Sequence, residues 1–212
     1  VVPAQIALGL LLAVLLTKGL RGTGLLRALL IIPWASSPLA LGVVWSWIFA
    51  PDGGPPAGPA GASTGVLASP TWALPAVALV VIWTGAGHTS LLLAAGLASI
   101  PRELVEAARL DGATARQIFW SIEAPLLRPT LLLVATAALI AVLNTFDQVY
   151  ALTRGGPDRA TGVLAYTIYE RAFVNWNMGE AAVMALVMTV MLLLVTGAQR
   201  LCLRGMSAHE SD

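Results

Sequence analysis

Five stretches of this chain, Val1–Thr17, Leu25–Phe49, Trp72–Leu97, Thr130–Leu152 and Ala181–Leu201, run almost without charge. Each approaches or exceeds the roughly 20 apolar residues that a helix needs to cross a hydrocarbon core of about 30 Å. The rest of the chain cannot compensate. Charged residues make up 11% of it and hydrophobic ones 58%, where a soluble domain carries about 25% charged residues. So few charges cannot cover a water-facing surface. The sequence therefore predicts an all-α integral membrane protein with five spans, organised as one transmembrane domain over residues 1–212.

The connections between the spans differ in charge. The first holds Lys18, Arg21 and Arg27, and the third Arg102, Arg109, Arg116 and Arg128. The second, Ala50–Thr71, holds no basic residue and contains the run PDGGPPAGPAGAST, which favours irregular structure. Arg154, Arg159 and Arg171 lie in the fourth, and Arg200 and Arg204 in the tail. Nine of the twelve basic residues thus fall on one side. The positive-inside bias places the first and third connections and the C-terminus in the cytoplasm. Five spans then leave Val1 outside, and no charged n-region of a signal peptide precedes it. The expectation is a segment missing before Val1 and six spans in the intact protein. A net charge of +1 offers no basic face to nucleic acid. The single cysteine, Cys202, reads as a small apolar filler in the cytoplasmic tail.

The third connection, about residues 100–129, is long and patterned: IPRELVEAARLDGATARQIFWSIEAPLLRP. Pro101 suits the first helical position, where its missing N–H costs nothing. Glu103 and Glu106 follow where they complement the helix dipole. Asp111-Gly112 ends the helix, with Gly112 able to take the left-handed conformation. A second short helix, about Ala115–Glu123, ends at Pro125. The residues alone allow two readings of this helix–turn–helix: an amphipathic element lying on the membrane, or a knob that docks into another protein.

Glu106-Ala107-Ala108, then Gly112, Ile122 and Pro125, resembles the EAA signature of permeases of binding-protein-dependent ABC importers. Ala124 stands where that family usually has Leu. Asp111-Gly112-Ala113 and the run LTRGGPDRAT (Leu152–Thr161) are similar to the carbohydrate importers of the maltose and glycerol-3-phosphate type. Tyr166, Tyr169, Phe173 and Gly179 extend that match downstream, and Arg27, Pro33 and Trp45 extend it upstream. The resemblance implies a type I ABC importer permease bundle. It implies that Glu106, Ala107, Ala108, Asp111, Gly112, Ile122 and Pro125 form the element that couples to an ATPase, with Glu106 as ion-pair partner and Gly112 as the hinge turn. It also implies the partners: a homologous permease subunit, two ABC ATPase subunits, an external solute-binding protein and membrane lipid. ATP and Mg would be bound by those ATPases. This chain has one lysine, Lys18, between Thr17 and Gly19, so it has no Gly-Lys-Ser/Thr phosphate loop. His88 and His209 are far apart in sequence, and no metal cluster or Ser/His/Asp set stands out. The chain reads as a non-catalytic subunit with no cofactor of its own.

Polar residues at membrane depth are costly and usually face a cavity or a neighbouring helix. TGAGHTS (Thr84–Ser90) is expected to interrupt the third span near its outer half. Asn144, Thr145, Asp147, Gln148 and Tyr150 cluster near the outer end of the fourth, where residues 144, 147 or 148, and 151 would share a helical face. Pro33-Trp34 and Ser36-Ser37-Pro38 mark a bent segment in the second. The three interruptions are expected to meet at one pocket, with Trp34 as an aromatic platform for a sugar. The resemblance points to Trp34, Pro38, Gly85, His88 and Asn144, and Asp147 joins them. The competing reading is helix–helix packing by small and polar residues. Beyond the Gly155-Gly156-Pro157 turn, Thr161–Asn177 reads as an interfacial helix with aromatic anchors, as a surface for the binding protein, or as both. The function expected is ATP-driven import of a sugar or sugar-like solute. The alternative is an ion-gradient-driven secondary transporter, which would favour inverted repeats; none is visible. A phosphorylated solute would want a cationic pocket, and no arginine stands in these polar stretches.

Overall fold

The computed structural model describes residues 1–17, 23–50 and 65–208, with the backbone alone for 203–208. Lys18, Arg21, the Pro/Gly run 51–64, the Arg204 side chain and His209 lie outside the described residues. Among those described, the chain is helical and has no strand. Helix α1 spans Val2–Thr17, α2 Thr23–Ala35, α3 Pro38–Ile48 and α4 Ala73–Ala98. The third connection holds α5 (Arg102–Leu110) and α6 (Ala115–Ile118), followed by a π-turn over Phe119–Glu123 and α7 (Ala124–Leu126). Then come α8 (Arg128–Leu143), α9 (Asp147–Leu152), α10 (Leu164–Tyr169) with a second π-turn over Glu170–Val174, and α11 (Met178–Ala208).

Two helices, Ala73–Ala98 and Met178–Cys202, are unbroken and long and apolar enough to cross a membrane. The other apolar stretches are shorter or broken. The 16 residues of α1 rise about 24 Å. The expected second span is two helices bent by 96°. The helix runs through Pro33 and breaks instead at Ser36-Ser37. There the Ser37 hydroxyl accepts from the Ala40 N–H and Pro38 occupies the first turn of α3, a start signal that favours a new helix over continuation. The expected fourth span begins at Arg128 and stops at Leu143, so residues 144, 147 and 151 do not share one helix. The expected interruption of the third span is absent: α4 runs straight through Thr84–Ser90, which lies at its middle. The Thr84 hydroxyl donates to Val80 O and that of Ser90 to Gly87 O, at 2.8 and 2.7 Å. These polar groups satisfy themselves on their own helix. Cys202 is exposed on α11 and fills no core.

Helix α4 is the axis of the bundle. Toward its C-terminal end, Leu93 and Ala94 join Ala13 and Leu16 of α1, Leu127, and Val134 of α8 in one core. Toward its N-terminal end, Val77 and Val80 pack with Val149 and Leu152 of α9 and Tyr166 of α10. Glycines set the spacing. A Cβ on Gly87 would collide with the Leu30 carbonyl of α2, and one on Gly9 of α1 with Thr89. On α10, Tyr166 is buried and stacks with Phe146, with Tyr169 beside it. Of these expected anchors Tyr166 is a core residue and Tyr169 is half-buried against it, while Phe173 and Trp176 are exposed. The Asn177 carboxamide holds the start of α11, accepting from the Glu180 N–H and donating to its carboxylate. Arg171 pairs with Glu180 at 3.3 Å, the one ion pair among the described residues. Of the apolar window of α11 6% is buried, against 44% for α4.

Candidate functional site

A cleft of about 350 Å³ opens at the mid-depth of α4, and every residue expected at the solute pocket lines it: Trp34, Pro38, Gly85, His88, Asn144 and Asp147. The two helix breaks create it. Trp34 sits in the last turn of α2, just before the α2–α3 bend, and Pro38 starts the arm that departs from it. Asn144 ends α8 and Asp147 begins α9, so both reach the cleft at a chain break. Along α4, Gly85 and His88 are three residues apart on one face. The volume falls within the range of small-molecule sites.

The lining has a definite chemistry. The Trp34 indole and the His88 imidazole stack 4.3 Å apart and 7° from parallel. One face of the expected platform is therefore taken, and half of Trp34 is still exposed. The Asn144 amide nitrogen donates to Ile140 O at 2.9 Å, and its carbonyl oxygen has no partner among the described residues. Asp147 is the one carboxylate among the described lining residues, which include neither lysine nor arginine. Gln5, absent from the expected set, lines the cleft from α1 and donates to the Thr89 hydroxyl at 3.0 Å. Gly85 makes room for it, since a Cβ there would meet the Gln5 amide. In the sequence it is a lone amide in the apolar run of α1, costly at membrane depth but isolated from the polar clusters that marked the other residues. Thr84, Thr89 and Gln148 complete the polar wall.

The third connection forms a compact knob at the end of α4. Helix α5 starts at Arg102, one residue after the expected position, with Pro101 as its cap. It closes in a Schellman motif: Gly112 N–H donates to Arg109 O and Ala113 N–H to Ala108 O, with Gly112 at φ +80°. Thr114 and Gln117 then form a capping box that starts α6. The return arm continues past Glu123 and through Pro125 to Leu126 before bending by 68° into α8. Glu106, Ala107, Asp111 and Gly112 are exposed on the knob, with Ala108 half-buried. Ile122 and Pro125 lie apart from them, half-buried on the return arm. Leu110, at 90% exposure, and Leu104 and Trp120 add apolar surface beyond the residues expected to dock. Behind the knob, Glu106 shares a second cleft of about 580 Å³ with Arg27, Arg102, Arg109 and Glu123.

Residues 5–208 match the family described as binding-protein-dependent transport system inner membrane component. The chain is 35% identical over 198 residues to a multiple sugar-binding transport system permease protein of Streptococcus mutans, covering 92% of this chain and 68% of the relative. It is 34% identical over 200 residues to an sn-glycerol-3-phosphate transport system permease protein of Agrobacterium fabrum, with the same coverage. Among solved structures, a bacterial alginate ABC transporter in complex with an alginate pentasaccharide-bound periplasmic protein shares the fold. That match has a TM-score of 0.76 at 20% identity and covers 92% of this chain and 70% of that one.

Proposed function

This chain belongs to the family of inner-membrane components of binding-protein-dependent transport systems, and from that premise we propose that it lines the solute pathway of an ATP-driven importer for a sugar or polyol. The observation that carries the solute class is the cleft at mid-depth of α4. Its amides, hydroxyls, half-exposed indole and single carboxylate suit a neutral, hydroxyl-rich solute: apolar ring face against an aromatic, hydroxyls against hydrogen-bonding groups. The sugar named for the streptococcal relative agrees with this. For the glycerol-3-phosphate named for the Agrobacterium relative, this chain's share of the lining offers Asp147 and neither lysine nor arginine, so a phosphate would need its cations from the companion subunit.

The remaining assignments complete the machine. A homologous permease subunit would close the cleft, two cytoplasmic ATPases would bind ATP and Mg, and an external binding protein would deliver the solute. Glu106, Ala107, Ala108, Asp111 and Gly112 would seat in an ATPase groove, with Ile122 and Pro125 shaping the arm behind them. The knob would then be cytoplasmic, along with the C-terminus, and the α9–α10 turn at the other end of α4 would be external. A charged, rigid, exposed element at the end of the central helix supports this orientation.

The test is uptake by the complete transporter in proteoliposomes. Trp34→Ala and Asn144→Ala should each lower solute uptake about tenfold while subunit assembly persists, since each removes one polar or stacking contact worth about 1–2 kcal/mol. Unchanged uptake in both would remove the cleft from the solute path. In the same system Glu106→Ala should reduce co-purification of the ATPases without loss of membrane insertion. Full association would remove the coupling role from the knob.

A further inference from the structure

The cleft behind the knob, about 580 Å³ in volume, gathers charges that the transport reading mostly leaves without a task. Its floor is apolar. Leu16 of α1 and Ala94 of α4 are buried there, and Leu97 packs against them. Over that floor stand Arg27 of α2, Arg102, Glu106 and Arg109 of α5, and Glu123 of the return arm. The cleft therefore spans the boundary where the apolar α4 gives way to the charged knob.

Helix α5 turns an unusual face toward it. Residues 102, 105, 106 and 109 follow the i, i+3, i+4, i+7 spacing of one helical face, and all four line the cleft. Leu104 and Leu110 are exposed instead. An amphipathic helix folding onto an apolar core ordinarily does the reverse, burying its leucines and leaving its charges to solvent. None of the five charges around the cleft makes an ion pair, since the one ion pair among the described residues is Arg171 with Glu180. Under water such groups are hydrated. Beside a bilayer they call for a counter-charge.

The balance of charge says which sign. Three guanidinium groups face two carboxylates, and the ATPase contact proposed for Glu106 would leave three against Glu123 alone. Guanidinium forks match the oxygens of a phosphate. The cytoplasmic leaflet carries anionic lipid, and basic pockets between membrane helices on that side receive its headgroups. A carboxylate from another protein, or a soluble phosphate, would use the arginines and leave the floor of Leu16, Ala94 and Leu97 uncovered. A phosphodiester with acyl chains attached uses both, and the volume lies within the range of small-molecule sites.

We infer that this cleft holds the headgroup of an anionic phospholipid of the cytoplasmic leaflet. Arg27, Arg102 and Arg109 receive the phosphate, and the glycerol and first acyl carbons cover the apolar floor. The inference rests on the orientation proposed above, and one set of measurements separates the two. The complete transporter, stripped of native lipid in detergent, is titrated with phosphatidylglycerol or phosphatidylcholine, and bound lipid is counted by native mass spectrometry. Wild type should take phosphatidylglycerol about tenfold more tightly than phosphatidylcholine, and R27Q/R102Q should lose that preference. R27K/R102K keeps the charge and should retain most of it. Co-purification of the ATPase subunits reports assembly, and if the double variant fails there, R27Q and R102Q are read singly in the same way. Equal preference in wild type and the assembled glutamine variants, or none in wild type, overturns the lipid site. Displacement of the lipid by an equal concentration of glycerol phosphate gives the cleft to a soluble anion and overturns it too. Solute uptake by the same wild-type preparation in proteoliposomes leaves the importer reading standing in either case, and absence of that uptake overturns the importer reading itself.

Discussion

Gly87 shows how much of this bundle rests on single atoms. The Leu30 carbonyl of α2 occupies the place of its Cβ, so Gly87→Val must push α2 away from α4, the helices on either side of the cleft. Overpacking of this kind costs about 3 kcal/mol, and we expect a matching fall in the thermal unfolding midpoint of the detergent-purified complex. Gly112 is the opposite case. Nothing lies within 4 Å of its absent side chain, yet φ is +80°. Gly112→Ala should therefore cost about 1–2 kcal/mol through backbone conformation alone, and Gly112→Asn less, which the order of their ATPase coupling checks. Asp147, the sole carboxylate in the cleft lining, sets a third expectation. Neutral hexoses or polyols should compete for uptake while their phosphate esters do not, and competition by the esters would contradict the lining.

At the scale of elements, an exposed side chain is informative when its neighbours are ordered around it. Leu110 is 90% exposed at the tip of α5 and contributes little to the isolated fold. Leu110→Ser should leave unfolding within about 0.5 kcal/mol and yet weaken retention of the ATPase subunits on a permease column. Retention equal to wild type would make the knob's apolar surface incidental. The elements also explain what the sequence disclosed and what it hid. The positive-φ turn at Gly112 and the bend around Ser36-Ser37-Pro38 were legible because glycine, a capping serine and an N-terminal proline act locally. The continuity of α4 through Thr84–Ser90 was not. Glycine and threonine disfavour helix in isolation, but here the hydroxyls bond to their own backbone and the glycines admit α1 and α2. That outcome depends on neighbours absent from a linear reading. Trp34, His88, Asn144 and Asp147 were legible as costly polar groups in apolar runs, while Gln5 was missed because one amide in α1 carries no pattern.

At the scale of the whole molecule, α4 links the site to both ends: the core with α1 and α8 at one, α9 and α10 at the other, the cleft between. Among the described residues the cleft is open on one side, and the apolar window of α11 is almost entirely unburied. Lipid satisfies the second condition but not the first, since amides and a carboxylate facing acyl chains lack partners. A chain built this way has a lifetime set by assembly. The companion permease proposed above would close the cleft, so the chain synthesised without it should be an orphan that the membrane's quality-control proteases clear. Co-expression of the companion permease should extend its half-life severalfold in a pulse-chase, before any solute or nucleotide is present.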